Sequence, residues 1–194
     1  MLDSWSPKGE IGRDGTMKAN IESPENVRDL LRELVQRYPL EPDGIHGVGH
    51  WARVLDNGHR LAEKTGAMIE VVELFALFHD SQRQNDGYDP GHGSRGARLA
   101  EEMRGKWFDL SDMAFDHLVD ACALHTNGFV DADITVQTCW DADRLDLGRV
   151  GIVPDRDRLC TVAAKDPNIL RWANERARSE YVPDWVPDIG IEVR

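Results

Sequence analysis

The segment from Ala67 to His79 is apolar on nearly every helical face, with Ile69, Val71, Val72, Leu74, Phe75, Ala76, Leu77 and Phe78 close together. A helix of that composition has no broad solvent face and must be wrapped by others, which makes it the expected centre of the fold. The flanking stretches carry the partners. Val27, Leu30, Leu31, Leu34, Val35 and Tyr38 recur at helical spacing behind Ser23 and Pro24, and end at Pro39. Trp51, Val54, Leu55, Gly58, Leu61 and Ala62 share one side of a second helix that Gly66 stops. After a polar loop from Ser81 to Gly93, further helices are expected around Ala97, Ala100 and Met103, from a Ser111 cap to about His125, from near Thr135, and from Pro167 to Ser179. Nothing alternates with period two and no longer repeat is visible. The expected fold class is all-α, a single-domain helical bundle.

Composition removes several functions. The longest apolar run, Leu74 to Phe78, falls far short of the ~20 residues of a membrane helix. A formal charge of −12 repels phosphate backbones and leaves no basic stripe, so a nucleic acid duplex is not an expected partner. Cys122, Cys139 and Cys160 form no CxxC pair and read as reduced thiols, which with the absence of a secretory pattern suggests the cytoplasm. Residues 1–20 read as a disordered leader, 21–165 as the main helical domain, and 166–194 as a helix and tail packed on it.

Polar residues that interrupt apolar stripes carry the functional signal, because a titratable group at such a position points inward. His50 aligns with Val54 and Leu61, His125 continues the stripe of Ala114, Phe115, Leu118, Ala121 and Cys122, and Asp143 falls among Val136, Cys139, Trp140 and Leu147. His79 and Asp80 end the apolar third helix, where a carboxylate opposes the macrodipole by about 0.3–1 kcal/mol. Buried alone, each of these groups is costly. One divalent cation shared by His50, His79, Asp80 and Asp143 satisfies all four. A single inward His or Asp is ordinarily a hydrogen-bonded core residue, so the weight rests on the coincidence of four. His46, His59 and His117 read as solvent-facing or at most as outer supports, and Asp141 as projecting to the opposite face.

The order His50, His79-Asp80, Asp143 resembles the H…HD…D signature of the HD superfamily of metal-dependent phosphohydrolases, which are all-α. His50-Trp51-Ala52-Arg53-Val54 is similar to its HxxRV helix, Leu77-Phe78-His79-Asp80 to its doublet, and Asp141-Ala142-Asp143-Arg144-Leu145-Asp146 to its ADRLD segment. The resemblance spans roughly residues 24–155. His92, ahead of Gly96-Ala97, and His125, ahead of Thr126-Asn127-Gly128, are similar to the extra ligands of the two-metal H-HD-H-H-D subgroup.

The resemblance implies one or two divalent transition-metal ions (Mn, Fe, Co, Ni or Zn), with Asp80 as the bridging or activating carboxylate and a metal-activated hydroxide as nucleophile. Arg53 and Arg144 flank ligand positions, and Arg83 and Arg95 border the Ser81–Gly93 loop, so Arg53, Arg83 and Arg144 are expected in catalysis and Arg83, Arg95 and Arg144 on substrate phosphate. Each is equally suited to an ion pair with the abundant acids. Asp86 and Asn85 can position a leaving group, and Tyr88 with the loop's glycines suits a lid. The implied substrate is a small nucleotide or related organic phosphate. Two other readings use the same residues: a di-iron oxygenase of the same superfamily, and a non-catalytic nucleotide-binding module.

Overall fold

The structure, a computed structural model, describes residues 24–186, so the expected leader 1–20 and the end of the tail lie outside the described residues. Among the described residues there are seven α-helices and no strand: α1 (Pro24–Arg37), α2 (Val48–Thr65), α3 (Ile69–Phe78), α4 (His92–Met103), α5 (Asp112–Leu124), α6 (Ile134–Arg144) and α7 (Pro167–Arg178). The expected all-α class is what forms. No helix among them is long and apolar enough to cross a membrane.

Local chemistry sets most helix ends. Gly66 takes the left-handed conformation, with φ 72°, and donates its N–H to Ala62 O, which closes α2 and turns the chain into α3. Ser111, Asp133 and Asp166 accept backbone N–H groups at the starts of α5, α6 and α7.

α3 is the hub. It packs against α1, α2, α4, α5 and α6, and Val71, Val72, Leu74, Phe75, Ala76, Leu77 and Phe78 are all buried. Its solvent edge is narrow: Ile69 is exposed, and Glu73 pairs with His59 of α2 at 2.9 Å. α7 packs against α2 and the 3-10 turn Leu147–Val150, which brings its buried residues Ile169 and Ala173 into the same contiguous core as Leu30, Trp51 and Val186.

Two differences from expectation have a steric origin. The polar loop ends at Gly91, and His92 opens α4 instead of lying in the loop. Gly93 and Gly96 weaken helix propensity, yet both are required here by close backbone approach: a Cβ at Gly96 would lie 2.2 Å from Phe78 O, and one at Gly93 2.2 Å from Cys122 O. Asp141, expected to project away from the core stripe, is fully buried. The segment after α6 folds back over it, and its carboxylate accepts hydrogen bonds from Cys160 N (2.7 Å), Thr161 N (2.8 Å) and Thr161 Oγ1 (2.8 Å).

Candidate metal centre

Four helices and one doublet converge where α3 ends. His50 comes from the first turn of α2, His79 and Asp80 from the C-terminal end of α3, His92 from the start of α4, His125 from just beyond α5, and Asp143 from the last turn of α6. His50, His79, Asp80, His92 and His125 are all buried. Their ligand atoms form two groups that can each hold a metal ion, His50 with His79 and Asp80, and Asp80 with His92 and His125. Asp80 belongs to both.

In the first group His50 Nε2 and His79 Nε2 are 3.0 Å apart. Asp80 Oδ2 lies 3.5 Å from His50 Nε2, and Asp143 Oδ1 lies 3.5 and 3.9 Å from the two imidazoles. In the second group His92 Nε2 and His125 Nε2 are 2.9 Å apart, with Asp80 Oδ1 at 3.0 and 3.7 Å.

The other ring nitrogens explain this arrangement. His79 Nδ1 lies 3.1 Å from Phe75 O and from Ala76 O, His125 Nδ1 lies 2.8 Å from Cys122 O, and His92 Nδ1 contacts Asp89 O. Carbonyl oxygens only accept, so each of these Nδ1 atoms carries the proton, and the matching Nε2 presents a lone pair. His50 Nδ1 donates likewise to Asp146 Oδ2 at 2.7 Å. With the proton on Nδ1 of each ring, the Nε2 atoms of the two pairs face one another at 3.0 and 2.9 Å, where one cation can take both lone pairs of a pair. Asp80 Oδ1 adds a second sign. It is buried and receives no hydrogen bond, although His92 Nε2 is 3.0 Å away.

Electrostatics agree with a site built for positive charge. Burial pushes His79 down to about 3, whereas at His125 the neighbouring Asp80 and Asp143 carboxylates outweigh burial and raise it above the usual imidazole value. Burial alone would raise Asp80 and Asp143, but positive charge and hydrogen bonding from the imidazoles, with Arg149 beside Asp143, outweigh it, holding Asp80 well below the usual carboxylate range and Asp143 at about 2. The donor set, four imidazoles with two carboxylates, suits transition metals over Mg or Ca.

The expected arginines are placed differently. Arg83 lines the cavity over the centre, its Nε 3.2 Å from Asp80 Oδ2. Arg144 also lines it, but its guanidinium is committed to Phe129 O (2.7 Å), Arg158 O (2.8 Å) and Cys160 Sγ (3.2 Å), so it ties two loops together. Arg53 does not reach the cavity. It is buried against Asp146, Nε to Oδ1 at 2.7 Å and Nη2 to Oδ2 at 3.1 Å, and acts on the centre through the carboxylate that orients His50. Arg95 donates to Gln82 O and Asp89 Oδ2, bracing the loop from outside the cavity lining. Of that loop, Asp86 lines the cavity, Asn85 accepts the Gly87 N–H, and Tyr88 stands in solvent.

Three further residues belong to the site. His46 is buried, not solvent-facing, with Nδ1 3.0 Å from Asp80 Oδ2, and Tyr38 Oη fixes it by donating to its carbonyl. Arg149 donates to Ile45 O (3.0 Å) and Asp146 O (3.2 Å), and its Nη1 is 4.0 Å from Asp143 Oδ1. Asp146 is the third. Its position three residues after Asp143, and that of Arg149 three residues further, is a helical-turn spacing that could have flagged both. His59 and His117 lie away from the centre, against Glu73 and Asp133.

The cavity has a volume of about 670 Å³, within the range of small-molecule sites. Comparison with protein-family models, with curated proteins and with solved structures finds no match to this chain, so the centre stands on its own geometry.

Proposed function

We propose that this chain is an HD-type, metal-dependent phosphohydrolase acting on a small nucleotide or related organic phosphate. The observation that carries the reading is Asp80, whose two oxygens each face a pair of imidazole Nε2 atoms oriented by outer hydrogen bonds at Nδ1. His50, His79, Asp80 and Asp143 would hold one ion, and Asp80, His92 and His125 a second. Bound there, the metal supplies Lewis acidity and a hydroxide from water at neutral pH.

The protein's own groups supply the rest. Asp146 keeps the His50 proton on Nδ1, and the backbone carbonyls do the same for His79, His92 and His125. Arg83, whose Nη1 makes only 3.4 Å contacts to Asn85 O and Gly87 O, can turn donors to a phosphate oxygen beside Asp80. His46, donating from Nδ1 to Asp80 Oδ2 at 3.0 Å, holds that carboxylate in place.

The test is elemental analysis of protein purified without chelator, followed by phosphate release from nucleoside mono-, di- and triphosphates and dinucleotides, before and after chelation. Metal in stoichiometric amount with metal-dependent phosphate release is expected. Oxygen uptake without phosphate release would replace the hydrolase by an oxygenase, and nucleotide binding without turnover by a binding module.

A further inference from the structure

The cavity has two chemically distinct parts. Its large apolar side chains, Leu147, Val150, Ile152, Val153, Pro154 and Leu159, all come from one segment between α6 and α7. Charged and imidazole groups make up most of the rest. Ile152 and Val153 are 53% and 73% exposed, an apolar surface left open beside a polar centre. The segment is braced, because Ile152 N donates to Leu147 O at 3.1 Å, Gly151 N to Gly148 O at 3.0 Å, and Arg144 holds Arg158 O. Its apolar face is therefore preformed.

Two further facts narrow what fits. Thr126 is the one hydroxyl or amide side chain in the lining, so away from the charged groups a ligand's body meets mainly the apolar Leu147–Leu159 segment. Among the four lining arginines, Arg144 and Arg149 are committed to backbone and His46, and Arg83 lies against Asp80. Arg158 alone among them is exposed with no side-chain partner among the described residues. Beyond the centre and Arg83, Arg158 is then the one uncommitted lining cation among the described residues for a second or third phosphate.

We infer that the substrate is a monophosphate ester whose alcohol part is largely apolar, held against the Leu147–Leu159 segment with Ile152 and Val153 selecting for it. This rests on the hydrolase reading above. In the reaction the P–O bond to the alcohol breaks, a water oxygen forms the new bond to phosphorus, and a proton from water ends on the alcohol.

The experiment compares phosphate release by the metal-loaded full chain from hexyl phosphate, glycerol phosphate and ATP, the two esters having alkoxide leaving groups of similar basicity. It pairs this with calorimetric titration by naphthyl- and methylphosphonate, in wild type and in a variant carrying Ile152→Asn and Val153→Asn. Hexyl phosphate should exceed glycerol phosphate and ATP in kcat/KM by roughly 10- to 100-fold. The naphthylphosphonate should bind at least about tenfold tighter than methylphosphonate with a negative heat capacity change. Both preferences should fall toward parity in the variant. Equal kcat/KM for the two esters, a preference for ATP, or preferences untouched by the substitutions would overturn the inference while leaving the hydrolase intact. Release from no ester with the phosphonate preference still present would overturn the hydrolase reading and keep the apolar selection.

Discussion

His50 is held from behind by Asp146: its Nδ1 lies 2.7 Å from Asp146 Oδ2, a carboxylate that is itself clamped by Arg53 at 2.7 and 3.1 Å. The chain of contacts runs Arg53, Asp146, His50, centre, and it fixes both the tautomer and the direction of a ligand whose Nε2 would otherwise be free to rotate. Asp146→Asn keeps the shape and removes the charge. It should weaken metal affinity of the group containing His50 by about 10- to 100-fold, measured by competition with a chromogenic chelator, and leave the group containing His92 and His125 occupied. It also strands the buried Arg53 charge, so unfolding stability should fall by roughly 3–5 kcal/mol in urea titration. Unchanged affinity would show that Asp146 serves Arg53 alone.

Asp80 and His125 are predicted to differ in kind. Asp80 is shared by both ligand groups, whereas His125 belongs to one. Asp80→Ala should therefore empty the centre and abolish phosphate release with the helical circular dichroism signal retained, while His125→Ala should lower metal content toward one ion per chain. Metal removal from the wild type should lower stability as well, since the facing lone pairs are left uncompensated. Returning the metal at about 100 times its dissociation constant should restore roughly 2.7 kcal/mol. Equal metal content in wild type and His125→Ala would remove the second ion.

Much of this centre was legible in the sequence, and the reason is periodicity. His50, His125 and Asp143 interrupt apolar stripes of helices that form where caps and glycines place them, and the structure brings them together with His79 and Asp80. The rest depended on approaches between distant segments. His46 precedes α2 in a turn with no stripe to read, and it is buried because Tyr38, Asp80 and Arg149 surround it. Asp141 faces away from its own helix's stripe, and only the return of Cys160–Thr161 makes that face interior. Arginines were the least legible. Their long side chains choose among backbone carbonyls, carboxylates and solvent according to contacts that no spacing encodes, so Arg53, Arg95 and Arg144 stand as braces where catalytic or phosphate contacts were expected.

The brace at Arg95 has a pH signature. Hydrogen bonding from Arg95, assisted by the Gln84 N–H at 2.9 Å, holds the Asp89 carboxyl at about 2. A depressed carboxylate pKa contributes stability that is present above the unfolded value of ~3.9 and is lost as pH falls toward the folded one. The gap in unfolding free energy between wild type and Arg95→Gln should be modest, on the order of 1 kcal/mol, because Arg95 keeps part of its surface in water although Asp89 is buried. It should hold from neutral pH down to ~5 and then close as pH falls through ~4 toward ~2. A gap that widens with acidity would assign the effect to another group.

Gly93 tests whether the second ligand pair depends on how closely α4 approaches α5. A Cβ there would lie 2.2 Å from Cys122 O and 3.0 Å from His125 Cε1, so the added methyl meets both the ligand ring and the carbonyl that orients it. The carbonyl cannot rotate away, since it belongs to the α5 backbone, and relief requires the two helices to separate. Gly93→Ala gains helix propensity of nearly 1 kcal/mol in α4, against which overpacking costs about 1–3 kcal/mol, so the net effect on unfolding should be a modest loss. The effect on metal should be larger. Moving His125 off the line between His92 Nε2 and Cys122 O breaks the geometry that frees its Nε2, and metal content should drop as in His125→Ala. Retention of full metal content with lowered stability would mean that the ligand pair tolerates the separation and that Gly93 matters for packing alone.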